Sequence, residues 1–189
     1  MEFIKQLIEF QIEQNLIEYP INLIKLCHDN NWKLHPYTNK DAISKVYRDG
    51  FSSSYDIFYN IDIGCHQRIR FTIAHEIGHI VLNHHILKNV NEECERAADY
   101  FAANLLAPAV ILKNNYEFRN NPKFTQDYFN ISEKCAINRI QHLRYWDRRI
   151  RYPQSFEKLL IDTMLEKIYE EEQKYINDYL SEIEFSFNL

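Results

Sequence analysis

The chain has 189 residues, of which 46 % are hydrophobic and 14 % aromatic, with only three glycines and five prolines. This composition supports a packed core and excludes a disordered chain or one built on long flexible linkers. A net charge of −5 leaves no overall basic footprint for nucleic acid.

In chain order, residues 2–17 place Phe3, Leu7, Ile8, Ile12 and Leu16 at three- and four-residue steps, the pattern of an amphipathic helix. "PINLIKLCHDNN" follows as a second helix, with Pro20 at a favourable first-turn position. "WKLHPY" suits a strand, and "DAISKVYRDG" a helical turn stopped by Gly50. Ile57, Tyr59, Ile61 and Ile63 then alternate with Asp56, Phe58, Asn60 and Asp62, which predicts a strand closed by Gly64. Residues 67–84 are apolar over most of a helical circumference and predict a buried helix. "HHILKNVN" reads as a loop, and residues 92–107 as a helix with a broad apolar face. "NNYEFRNNPKF" reads as loop. Ser132 is a good N-cap for a helix over 132–147. Residues 154–185 predict one or two helices with an acidic surface, since Glu157 to Leu189 holds nine Asp/Glu against three Lys.

Cys27, Cys65, Cys94 and Cys135 are unevenly spaced and form no C-x-x-C pair, so free thiols in a reducing compartment are expected. The N-terminal stretch lacks the apolar core of a signal peptide, and no apolar run reaches membrane-spanning length. The expected location is cytoplasmic, with no membrane partner.

Four of the eight histidines fall in "FTIAHEIGHIVLNHH", Phe71 to His85. His75 and His79 are four apart, so on a helix both imidazoles face one ion. Glu76 adjoins His75, where its carboxylate can stand beside a metal without ligating it and carry a proton. This is the H-E-x-x-H arrangement of zinc peptidases. Gly78 costs a helix about 1 kcal/mol relative to alanine, so a close backbone approach is its expected purpose. A catalytic zinc takes three protein ligands and keeps one position open. Glu95, sixteen residues beyond His79 on the next helix, can fold back to supply the third. Asp99, one turn further, can accept a hydrogen bond from the far nitrogen of a liganding histidine.

Neighbouring residues carry simpler explanations. His84 and His85 are expected to be surface or capping residues at the helix end. Glu92 and Glu93 suit a first helical turn. Cys94 points about 100° away from Glu95 around the helix. His28, His35 and His66 lack a partner pattern. Arg139, Arg144, Arg148, Arg149 and Arg151, interleaved with Tyr145 and Trp146, are better explained as a basic helix end against the acidic tail than as a nucleic-acid site.

"RFTIAHEIGHIVLNHH" followed by "ERAADYFAANLLAP" resembles the ImmA/IrrE family of metallopeptidases. The second motif is carried by Glu95, Ala98, Phe101, Ala102, Leu105, Leu106 and Pro108, with Ala107 where that family habitually has methionine. The strand "IFYNID", the arginines Arg68 and Arg70, and "FNISEKCAINRIQHL" also look like the family, so the likeness spans roughly residues 20–145. The resemblance implies a mostly helical α+β, zincin-like domain over residues 1–150. It has a small β-sheet and an active-site helix bearing HEIGH, and residues 151–189 form an acidic helical extension with no inherited role. It implies Zn2+ held by His75, His79 and Glu95, with Glu76 as general base in a zinc endopeptidase. It also implies a helix-turn-helix repressor of a phage or mobile element as protein substrate. His142, Tyr128 and Tyr100 are candidates for a second oxyanion donor. The alternative is a regulatory binding protein with a purely structural zinc, holding a repressor or antitoxin without cutting it.

Overall fold

The computed structural model describes residues 2–38, 45–48, 54–84, 90–143 and 151–187. The elements are α1 (Glu2–Glu13), α2 (Leu23–Asp29), β1 (Trp32–Tyr37), β2 (Lys45–Arg48), β3 (Tyr55–Asn60), α3 (His66–Val81), α4 (Glu92–Leu106), α5 (Ala109–Asn114), α6 (Tyr116–Asn120), α7 (Pro122–Phe129), α8 (Glu133–His142) and α9 (Gln154–Phe187). The class is α+β and mostly helical, as expected.

The sheet has the order β1-β3-β2. β1 runs parallel to β3, pairing Leu34 with Ile57, and β2 runs antiparallel to it, pairing Val46 with Ile57. "KVYR" is thus a strand and not part of a helical turn. Pairing with β3 overrides its weak local helical pattern. β3 also stops at Asn60 rather than running to Ile63. The Asn60 side chain is buried and accepts the Asp62 amide at 2.8 Å, which turns the chain out of the ladder.

α3 lies against β3 on one side and α4 on the other. Leu7 and Phe10 of α1, Ile57 of β3, Ile73, Ala74 and Ile77 of α3, and Phe101, Ala102 and Leu105 of α4 close the core around it. Phe10 stacks on Trp32 at 6.1 Å and meets Phe101 at 5.8 Å, joining α1, β1 and α4.

Asparagines set several helix ends that sequence alone misplaces. α2 starts after Asn22, whose side chain accepts the Lys25 amide, so Pro20 stands outside the helix. Asn115 and Asn121 cap α6 and α7 in the same way, and "NNYEFRNNPKF" is largely helical rather than loop. α6 and α7 support an aromatic cluster. Phe118 contacts Phe124 at 5.0 Å, Tyr128 at 4.9 Å and Phe129 at 5.1 Å, and Tyr19 closes on Phe129 at 5.5 Å. Ser132 caps α8 as expected.

A buried polar network ties distant elements together. Arg139 donates from Nε to the Ala107 carbonyl at 3.0 Å and from Nη2 to Asn104 Oδ1 at 2.7 Å. Tyr152 donates to Gln11 Oε1 at 3.0 Å. Ala107, which stands where the family habitually has methionine, is fully buried and so is a packing position. α9 is one continuous helix. Its first turns bury Phe156, Leu160 and Met164 in the common core, while Tyr169 and Tyr175 further on are exposed. No helix among the described residues is long and apolar enough to cross a membrane.

Candidate metal centre

The site is built where α3 crosses α4. Gly78 sits at the crossing, and a Cβ there would meet Ala98 Cα, Ala98 O and Phe101 Cβ, each at 3.2 Å. A side chain would push the helices apart, so the mid-helix glycine has the close-approach purpose its cost implied. α4 begins at Asn91, whose side chain accepts the Glu93 and Cys94 amides. That cap fixes the phase of the first turn and aims Glu95 back at α3.

His75 Nε2 and His79 Nε2 are 3.0 Å apart. Glu95 Oε2 is 3.3 Å from His75 Nε2, and Glu95 Oε1 is 3.6 Å from His79 Nε2. One ligand atom from each of these residues lies within 4.8 Å of the others. Two nitrogen or oxygen ligands of a tetrahedral zinc, each 2.0–2.1 Å from it, stand about 3.4 Å apart. The three separations straddle that value, so the donor set fits one small ion in spacing and in chemistry.

Asp99 also lies where its spacing predicts. Its Oδ1 is 2.8 Å from His75 Nδ1, so the Nε2 lone pair is turned toward the common point. Glu76 is only 4 % exposed. Burial, reinforced by the Glu95 charge and opposed by His75, raises its carboxyl from 4.5 to about 7. The two imidazoles are driven in opposite directions. Burial, then repulsion from His75 and His84, lowers His79 from 6.5 to about 4. Burial also pulls His75 down, but its hydrogen bond to Asp99 and the charges of Glu76, Asp99 and Glu95 outweigh it, so its pKa is raised. A buried base beside one neutral imidazole and clustered carboxylates is what a cation would balance.

His84 departs from expectation. It is 8 % exposed and not a surface residue, and its Nδ1 is 3.0 Å from His79 Nδ1. The signal was the asparagine before it. Asn83 adopts φ +59° and donates its amide to the Ile80 carbonyl, a left-handed helix ending that folds the following residue back under the last turn. His85 lies outside the described residues.

The remaining candidates stand apart. Tyr128 belongs to the aromatic cluster, Tyr100 sits edge-on to Phe3 at 5.4 Å, and His142 is exposed at the end of α8. None of these contacts involves the His75, His79 and Glu95 group. His28 and His66 are exposed, and His35 stacks on Phe58 with Nε2 at 2.7 Å from Asp56. Cys94 is buried beside Glu95 and not part of the ligand group. Arg70 donates to the backbone carbonyls of Ile21 and Asn130, bracing α3. Arg139 is spent on the internal network, whereas Arg144, Tyr145, Trp146, Arg148 and Arg149 lie outside the described residues.

Residues 35–141 match the family model described as IrrE N-terminal-like domain (Peptidase_M78). The chain belongs to this peptidase family. The match covers more than half of the sequence and contains HEIGH, Glu95, Asp99 and His84. A comparison with curated proteins gives no match. Membership in the IrrE-like family establishes a metallopeptidase type of function, and the His-His-Glu group is a place among the described residues that could hold a metal.

Proposed function

We propose that this IrrE-like protein is a zinc endopeptidase in which His75, His79 and Glu95 hold the metal and Glu76 is the general base. The observation that carries this is the convergence of three ligand atoms within 4.8 Å beside a buried carboxylate. Zinc bound there would make a water more acidic and polarise a peptide carbonyl.

The remaining chemistry belongs to the chain. Glu76, one residue past His75 and screened from solvent, takes the proton from the attacking water and returns it to the departing amide nitrogen. A carboxyl held near 7 suits both halves of that exchange at neutral pH. Asp99 keeps the His75 ring oriented through both steps. His₂Glu donors also accept other divalent ions, and zinc is proposed on the ligand type, two imidazoles and one carboxylate.

The proposed substrate is a helix-turn-helix repressor of a phage or mobile element, acted on in the cytoplasm. The support for it is the family resemblance. Co-expression with the repressor encoded beside this gene tests the proposal. Wild type should yield repressor fragments, and Glu76→Gln should leave the repressor whole while still binding zinc. Fragments at the wild-type rate from the Glu76→Gln protein would remove Glu76 from the mechanism. An intact repressor with both proteins, despite zinc uptake, would favour a binding role for the domain.

A further inference from the structure

We infer that His84 is the positioning residue of His79, accepting a hydrogen bond from its Nδ1 and so presenting its Nε2 to the metal. The inference rests on the proposed metal site and adds a residue to it. It starts from the ending of α3. Leu82 is the C-cap, Asn83 is the left-handed residue after it, and His84 follows. In such endings the second residue past the cap packs on the residue three before it, counted inward from the cap. Here those two are His84 and His79. Their rings lie 5.0 Å apart at 69°, with the two Nδ1 atoms at 3.0 Å.

Two nitrogens at that distance share one proton, so one ring donates and the other accepts. The Nε2 of His79 faces His75 and Glu95. A metal there takes the Nε2 lone pair, which leaves the hydrogen of neutral His79 on Nδ1. His79 Nδ1–H therefore donates to His84 Nδ1, and His84 carries its own hydrogen on Nε2. His84 is not a fourth ligand, because the two nitrogens of the His79 ring lie on opposite sides of it.

The two ligand histidines are thus held by different acceptors. His75 is held by a carboxylate that is 60 % exposed at its side chain, whereas His79 is held by a neutral imidazole in a buried position. The difference follows from charge. Glu76, in the same helix as His79, is already a buried carboxylate under the charge of Glu95, and a second enclosed carboxylate would add desolvation and repulsion. A neutral acceptor orients the ring without that cost.

The test is zinc affinity, measured by chelator competition on the full chain, for wild type, His84→Leu and His84→Asn. The asparagine side-chain oxygen reaches about where histidine Nδ1 stands, so it restores the acceptor, whereas leucine fills space only. His84→Leu should bind zinc about 10–100-fold more weakly, the usual effect of losing such a partner. His84→Asn should stay within about threefold of wild type, below that range. Equal affinity for wild type and His84→Leu would overturn the inference, as would equal losses in both variants, which would indicate packing alone. Nitrogen-15 correlation spectra of the zinc-loaded wild type give a second readout that needs no variant. They should show His79 protonated at Nδ1 and His84 protonated at Nε2. Protonation of His84 at Nδ1 would overturn the inference. A wild type that takes up no zinc would instead defeat the metal site itself, and this inference with it.

Discussion

The α3–α4 crossing and the α6–α7 aromatic cluster are both largely buried, yet they are built for opposite ends. The crossing is made of small residues, Gly78, Ala98 and Ala102, and encloses titratable groups. The cluster is made of Phe118 in ring contact with each of Phe124, Tyr128 and Phe129. Close-packed aromatics contribute stability directly. Buried imidazoles and carboxylates do so only when paired or bound to an ion. The molecule thus separates the part that holds it folded from the part that works, and substitutions in the two should fail in different ways.

The largest separation is expected from Glu76→Gln. Cleavage should fall by about 10²–10⁴-fold, the range for a lost general base, with zinc binding kept. The metal-free variant should also be more stable than metal-free wild type at pH 8. The folded carboxyl is held up at about 7 against 4.5 unfolded, so its contribution is complete below 4.5 and is lost as pH rises through 7. Urea unfolding at pH 4 and pH 8 should show the advantage of the variant only at the higher value. His79 works in reverse. Held down at about 4 against 6.5, it contributes stability above 6.5 that is lost as pH falls toward 4.

Phe118→Ala should break the other side of the comparison. Losing a fully buried phenylalanine costs about 3–5 kcal/mol, while the zinc affinity of the folded protein should not change. Asp99→Ala, which removes the acceptor for His75, should do the converse, weakening zinc about 10–100-fold with little loss of stability in urea unfolding. Gly78→Ala is the one change expected to affect both. A methyl 3.2 Å from the Ala98 backbone forces α4 outward. Overpacking costs of about 1–3 kcal/mol are partly offset by better helix propensity, so a small net loss is expected. Zinc affinity should fall as well, because Glu95 moves with α4. The smallest effect concerns thiols. Cys27, buried and pushed up to about 12, should resist alkylation in the native protein while exposed Cys65 reacts first, as peptide mass analysis would show.

The convergence of His75, His79 and Glu95 was legible in the sequence because it depends on helical spacing. His75, His79, Glu95 and Asp99 are fixed by two helices whose periodicity is strong, and Gly78 marks where those helices touch. What was not legible depended on asparagine. Asn115 and Asn121 look like loop formers but serve as N-caps, so two short helices were hidden in a polar stretch. Asn83 was hidden in the same way, and with it the inward turn of His84. β2 was misread for another reason: its state is decided by pairing with β3, which local pattern does not contain.

Zinc stoichiometry after dialysis tests the central claim most directly. Wild type and Glu76→Gln should each retain one metal ion per chain, and His75→Ala, His79→Ala and Glu95→Gln should retain almost none. Full zinc in any of those three ligand variants, or none in the wild type, would contradict the account.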